Sequence, residues 1–241
     1  MEMRTARICT IAMIGAATFL SAGTGIASAQ GGERLSNEKT LSRWAHPNDR
    51  ALVRRAPDAD ARGIVRLRYL TEDRQPEIYL ALRRTWDESG QEWVKIRLPR
   101  RPNGSTGWVR RETLGPWHHV RTRLVINRRT FRAKLFSRGR NVWQARVGVG
   151  APGTPTPRGR FYIREKLIAL RGGTIYGPLA FGTSAYSVLS DWPGGGVIGI
   201  HGTNQPGLIP GRPSHGCIRV RNRNIRQLAQ RMPLGTPVRI Y

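Results

Sequence analysis

From Ile64 onward the chain keeps returning to one pattern, short runs in which apolar and polar side chains alternate, each stopped by glycine, proline or a polar cluster. Residues 64–70, 78–82, 93–98, 123–127, 130–136, 142–147 and 161–163 all read this way. Successive side chains of a strand point to opposite faces, so a period of two in β-branched and aromatic residues fits half-buried strands. Turn residues at 87–90 and 101–104 separate consecutive runs, and the prolines at 152, 155 and 157 must interrupt any ladder because they lack amide donors. The predicted fold class is therefore all-β. Residues 30–50 are polar and weakly patterned and read as a flexible segment. Residues 51–115 read as a small N-terminal β-barrel closed around Trp86, Trp93 and Trp108, side chains that suit a core or barrel edge better than a ligand platform. Gly115-Pro116 breaks the chain before a second domain over 116–241. One short bracing helix is predicted over 222–231, with Ile225, Leu228 and Ala229 on its apolar face, Asn222 as N-cap candidate and Pro233 as its limit.

Compartment follows from the first residues. Arg4 and Arg7 precede an apolar run over 8–20, and Ala27-Ser28-Ala29 stands just before Gln30, which reads as a secretory signal peptide over 1–29. The run is shorter than the roughly 20 residues that cross a bilayer, although an uncleaved signal would tether the chain to the membrane. Cleavage removes Cys9, so Cys217 has no partner for an internal disulfide and must be explained by chemistry, packing or an intermolecular bond. With 41 Lys and Arg against 15 Asp and Glu, the chain carries a formal charge of +26. An exported protein of that charge meets anionic envelope polymers first. Nucleic acid is not an expected partner, because the arginines spread from Arg43 to Arg239 with no stacked-aromatic module or groove-reading helix.

The chemistry concentrates in Ser214-His215-Gly216-Cys217-Ile218-Arg219, with His201-Gly202-Thr203 upstream at the end of a short apolar run, 197–200. A thiol nucleophile needs a general base and donors for the charge that develops on its substrate. His201 and His215 are candidate bases, the Gly216 and Cys217 amides candidate oxyanion donors, and Arg219 a candidate for binding a carboxylate. Ser214 is expected to shape the loop, and Gly216 to keep a sharp bend free of a side chain. A zinc site is the weaker reading, since no second mature Cys or nearby carboxylate completes a ligand set. Neither metal nor organic cofactor is predicted. In the plainest alternative, Cys217 is a small buried hydrophobe and the histidines only satisfy hydrogen bonds.

The stretch 121–241 resembles the bacterial L,D-transpeptidase catalytic domain in the motifs just quoted, in Gly153-Thr154-Pro155-Thr156-Pro157-Arg158-Gly159, and in Asn222 ahead of the helix. That resemblance implies a β-sandwich carrying a nucleophilic Cys217. It implies an enzyme of the bacterial cell envelope that attacks a peptidoglycan tetrapeptide donor after its meso-diaminopimelate, releases terminal D-alanine, and passes the thioester to a stem-peptide acceptor as a 3→3 cross-link. It also implies His201 as base, with the Gly202 carbonyl orienting its other nitrogen, and leaves His215 as the alternative base or a pocket residue. Tyr176, Phe181 and Tyr186 are candidates to border the peptide cleft, with a core role the stronger reading for Phe181; Thr154, Thr156 and Arg158 either line the approach or brace the proline-rich turn. The first half resembles, more loosely, a Src-homology-type barrel. A peptidoglycan carboxypeptidase or endopeptidase using the same thioester, and a non-enzymatic wall-binding protein, remain as alternatives.

Overall fold

The computed structural model describes residues 32–168, 174–191 and 193–241; the signal peptide read over 1–29 lies outside the described residues. Eight short strands form a first sheet: β1 (Glu33–Arg34), β2 (Ser42–Ala45), β3 (Leu52–Arg54), β4 (Gly63–Arg66), β5 (Tyr79–Trp86), β6 (Glu92–Arg97), β7 (Thr106–Arg110) and β8 (His118–Val120). Their order is β4-β3-β7-β6-β5-β2-β8, with β1 on β5. The second set comprises β9 (Thr122–Asn127), β10 (Arg132–Ser137), β11 (Arg140–Gly150), β12 (Gly159–Ile168), β13 (Leu179–Tyr186), β14 (Val197–His201), β15 (Gly211–Ser214), β16 (Ile218–Val220) and β17 (Pro237–Ile240), with α1 (Asn222–Ala229) ahead of the last strand.

Two expectations about closure are overturned. The N-terminal sheet is open: its end strands β4 and β8 do not pair, and β3 meets β7 at a single residue pair, Arg54 and Trp108. No Src-homology-type barrel therefore stands at the N-terminus. The closed barrel is instead the C-terminal domain, which is not the β-sandwich expected: β10-β9-β17-β12-β13-β14-β16-β11 returns to β10. The physical reason is the length of β11. Its first half pairs with β10 from Arg140 to Arg146, and its second half turns to β16 at Val147 and Gly148 and to β15 at Gly148 and Gly150, so one long strand serves both neighbours and seals the ring. In the first sheet no strand runs far enough to do the same. β2 lies between β5 and β8, so residues 42–45 belong to the sheet.

Of the three tryptophans, Trp93 is buried with its Nε1 donating to Asp87, while Trp86 lies at the surface under the Arg84 guanidinium. The barrel interior is filled by alternating residues of its strands, among them Leu124, Ile126, Phe161, Ile163, Phe181, Ile198, Ile200 and Val238. Helix α1 adds Ile225 and Leu228 to that core, as its spacing predicts. Asn222 is the first residue of the helix rather than its cap, which falls at Arg221.

The open sheet packs on the outside of the barrel through an apolar cluster, Trp44, Ile78, Leu80 and Val120 against Tyr162, and through polar contacts that are largely buried. Arg164, on β12 and without solvent exposure, donates from Nε to Glu77 Oε1 at 2.9 Å and from Nη2 to Glu77 Oε2, and its Nη2 lies 3.0 Å from Glu72 Oε2. Burial works against the Glu72 charge, but Arg164, the Tyr186 hydroxyl and Arg68 outweigh it and hold the Glu72 carboxyl below the usual range. The Tyr162 hydroxyl donates to the Ile78 carbonyl at 2.8 Å. Asn103 copies a strand partner by donating to the Tyr186 carbonyl at 2.7 Å and accepting its amide at 2.9 Å, and Arg101 donates to the carbonyls of Ser187, Leu189 and Gly195.

Removing one member of a fully buried pair strands the other, at a cost of about 3–5 kcal/mol. Glu77→Gln is thus expected to lower Tm by on the order of 10 °C. The apolar pair Glu77→Leu with Arg164→Met should recover most of that loss, and Glu112→Gln, on an exposed residue, should leave Tm unchanged. Thermal melts decide it: an unchanged Tm in Glu77→Gln would show that the pair does not hold the seam.

Candidate active site

Alternation along β14 sends Ile198 and Ile200 into the barrel core and leaves Val197, Gly199 and His201 on the outer face. β14 and β16 are parallel, with Ile200 opposite Ile218 and His201 opposite Arg219. Cys217, one residue before β16, therefore comes level with Gly199. The Gly199 amide donates to Cys217 Sγ at 3.3 Å. A Cβ placed on Gly199 would stand 3.6 Å from His201 Cδ2 and 3.8 Å from Cys217 Sγ, so the imidazole and the thiol flank one glycine. They share a cleft of about 400 Å³ whose wall also includes Tyr176, Ala180, Gly182, Leu167 and Asp73. A larger cavity, about 850 Å³ around Asn127, Arg158, Arg239 and Tyr241, contains no thiol or histidine.

The loop carrying Cys217 is held by side-chain oxygens. Ser214 Oγ donates to the Cys217 carbonyl at 2.6 Å and accepts the Gly216 amide at 3.3 Å. Thr156, buried in the proline-rich turn, donates to the Gly216 carbonyl at 2.7 Å and accepts the Gly150 amide at 2.9 Å. This makes Thr156 a brace rather than a lining residue. Gly216 has φ +124°, and a Cβ there would sit 2.7 Å from Ile198 Cδ1. The Gly216 amide is thus engaged by Ser214, whereas the Cys217 amide makes no hydrogen bond among the described residues. On the histidine side, Asn222 Oδ1 accepts the Thr203 amide at 2.8 Å, so the residue expected as a helix cap pins the turn after His201 instead.

His201 is buried, and its Nδ1 lies 2.6 Å from the Gly202 carbonyl. A carbonyl only accepts, so Nδ1 carries the proton and Nε2 is left as the acceptor. Burial pushes the imidazole pKa down to about 4; Arg219 adds to the fall and the Gly202 bond opposes it. Burial likewise pushes the Cys217 thiol up, with the Gly199 amide and Arg219 pulling the other way. The resting pair is a neutral thiol beside a neutral imidazole with one free basic nitrogen. Tyr176 meets the imidazole edge to face, ring centres 5.0 Å apart.

The remaining residues singled out from sequence disperse. His215 is exposed. Arg219 is half-buried, donates to Gln205 Oε1 at 3.0 Å, and keeps a buried Nε without a hydrogen bond among the described residues. Tyr186 is not a wall of the cleft but a seam residue, its hydroxyl held between Glu72 Oε1 at 2.6 Å and the Pro99 carbonyl at 3.0 Å. Phe181 belongs to the barrel core and also contributes to the cleft lining. Of the two readings left open for Thr156, the structure takes the bracing one; sequence reasoning missed Gly199 and the pinning role of Asn222, and the short apolar run before His201 was the available signal for the first. Among the described residues no group of three His, Cys, Asp or Glu side chains is placed to hold a metal ion.

Residues 121–240 match the YkuD family, described as the L,D-transpeptidase catalytic domain. A Bacillus licheniformis protein named as a YkuD-type L,D-transpeptidase is 38% identical over 120 residues, 50% of this chain and 64% of that protein. A Bacillus subtilis protein named as L,D-transpeptidase YqjB is 30% identical over 126 residues, 48% of this chain and 69% of that protein. Among solved structures, the catalytic domain of an E. faecium L,D-transpeptidase is 25% identical, covering 50% of this chain and 96% of that one at a TM-score of 0.37. The chain spans less than two thirds of the length of the Bacillus licheniformis relative. With the Cys217 and His201 cleft inside the matched span, the chain belongs to the L,D-transpeptidase catalytic-domain family.

Proposed function

We propose that the protein is a peptidoglycan L,D-transpeptidase that forms 3→3 cross-links through a Cys217 thioester, working in the bacterial cell envelope where its stem-peptide donor and acceptor lie. The observation that carries this reading is the neutral Cys217 thiol sharing a cleft with a His201 whose Nδ1 is committed to the Gly202 carbonyl and whose Nε2 is free. As Sγ attacks the donor carbonyl, Nε2 takes the thiol proton, and the Cys217 amide meets the oxygen on which charge develops. Nε2 then protonates the leaving amine of D-alanine, and the thioester remains. The acceptor amine attacks it, His201 removes the amine proton, and that proton returns to the departing sulfur. Burial keeps His201 unprotonated between turnovers, and the positive charge of Arg219 beside the site adds to that effect.

Intact mass measurement after incubation with tetrapeptide-containing fragments should show loss of D-alanine and a covalent adduct on Cys217, and Cys217→Ser should show no thioester. With an amine acceptor present, cross-linked dimers should exceed water-resolved tripeptides. The reverse ratio would make the protein a carboxypeptidase.

The protonation states fix a pH profile. His201 must be neutral to accept the thiol proton, and its pKa is about 4 rather than the ordinary 6.5. Acylation kcat/KM should hold from about pH 8 to about pH 5 and halve near pH 4. Stability follows the same group: the unfolded chain protonates its histidine first, so His201 costs stability as pH falls from 6.5 towards 4. Half-loss of acylation at pH 6.5 would show that the working base is not this buried imidazole.

A further inference from the structure

The floor of the cleft is crossed by two rows of paired residues. One runs Leu167, Ala180, His201; the other runs Glu165, Gly182, Gly199. Residues directly opposite one another in a sheet share a face. Glu165 on β12 and the thiol above Gly199 on β14 therefore stand on the same side of the sheet, two strand spacings or about 10 Å apart at the backbone. The two glycines between them leave that floor without side chains. The Glu165 carboxylate leans over the nearer one: a Cβ on Gly182 would fall 2.1 Å from Glu165 Oε1. Thr71 from the N-terminal sheet domain donates to Glu165 Oε2 at 2.5 Å, while Oε1 is buried and has no hydrogen-bond partner among the described residues.

Asp73 lines the same cleft from the N-terminal domain. It sits at the tip of a loop pinned on both flanks, since Glu72 and Glu77 both meet Arg164 and the Thr71 amide closes the loop on the Gln75 carbonyl. Its charge bears on both Glu165 and Tyr176. In a chain with 41 Lys and Arg, Asp73 has no ion-pair partner among the described residues. An unpaired carboxylate at the rim and an unpartnered carboxylate oxygen beneath it both await a cation from outside.

Resting on the transpeptidase reading, we infer that Asp73 and Glu165 recognise an ammonium group on the side chain of the donor residue whose carbonyl Cys217 attacks, making the N-terminal domain part of the specificity site. Distance selects the donor over the acceptor. In an extended diamino diacid the distal ammonium stands about 7 Å from the reacting carbonyl, which spans the glycine floor from the thiol to the acidic pair. The acceptor amine must instead come within about 3.5 Å of the thioester carbon, one strand short of Glu165.

The test uses two tetrapeptide donors that differ only in whether the distal amine of the third residue is free or acetylated, with Cys217 acylation followed by rapid-quench mass spectrometry. Wild-type protein should acylate faster with the free amine by about tenfold, the worth of one hydrogen bond to a charged group, and that preference should fall towards one in Asp73→Asn and in Glu165→Gln. Circular dichroism checks each fold; should Glu165→Gln fail to fold, Asp73→Asn on the exposed loop carries the test. A wild-type protein that acylates equally with both donors, or folded variants that keep the preference, would overturn the inference alone. A wild-type protein that acylates with neither donor overturns the transpeptidase reading and this inference with it.

Discussion

The buried Arg164 and Glu77 pair is the contact on which the arrangement of the molecule turns. Both side chains are fully excluded from solvent, and each is paid for by the other's charge and by hydrogen bonds in a fixed fork geometry. Such a pair adds little net stability over an apolar isostere, but it tolerates only one registration of the two domains. That registration sets the loop from Thr71 to Glu77 over β12, and through Thr71 and Asp73 it places an N-terminal residue within the wall of the cleft. Tyr162, Tyr186, Asn103 and Arg101 repeat the constraint at neighbouring points of the same seam. The open sheet is thus positioned by the barrel, and in turn completes the site that the barrel carries.

Charge is distributed unevenly across this structure. Cations outnumber carboxylates, 41 to 15, and several arginines lie over aromatic rings, as Arg111 does 4.3 Å from the centre of Trp117. Excess positive charge at the surface attracts anionic polymers at long range, within the limit set by salt screening. Four of the scarce carboxylates stand where the two domains meet: Glu72 and Glu77 at the seam, Asp73 on the cleft wall and Glu165 buried beside it. Arg219 is the cationic counterweight on the other side, adding to the fall that burial imposes on the His201 pKa and offsetting part of the rise it imposes on Cys217.

Much of this was legible in the sequence where the cause is local. Alternation in residues 123–127 and 130–136 reports strands, the spacing of Ile225 and Leu228 reports the buried face of α1, and the Ser214-to-Arg219 segment reports a braced loop around the thiol. Closure was not legible. It depends on β11 continuing through Gly148 and Gly150, residues that read as a strand end, and changing partners on the way. The seam was hidden for a different reason. Arg164 and Glu77 stand 87 residues apart, and each is a single polar residue just outside a predicted strand. Tyr186 read as a candidate to border the cleft, whereas its hydroxyl finds Glu72 and Pro99 across the seam. Asn222 read as a cap because that role needs only local backbone, while its actual partner, the Thr203 amide, comes from another strand's turn.

A neutral thiol beside a neutral imidazole resists the side reactions of a free cysteine. Oxidation and adventitious alkylation both proceed through thiolate, and desolvation holds the Cys217 thiolate population low. The same desolvation strips His201 of most of its basicity in water, so neither group is primed by itself. On the transpeptidase reading proposed above, the substrate brings the proton across: a carbonyl placed against Sγ begins to bond as the proton leaves, and the developing oxyanion meets the Cys217 amide. Reactivity is then coupled to occupancy of the cleft rather than to the acidity of the free cysteine. The acidic pair inferred above would strengthen that coupling, because holding the donor's distal ammonium places its carbonyl over the thiol.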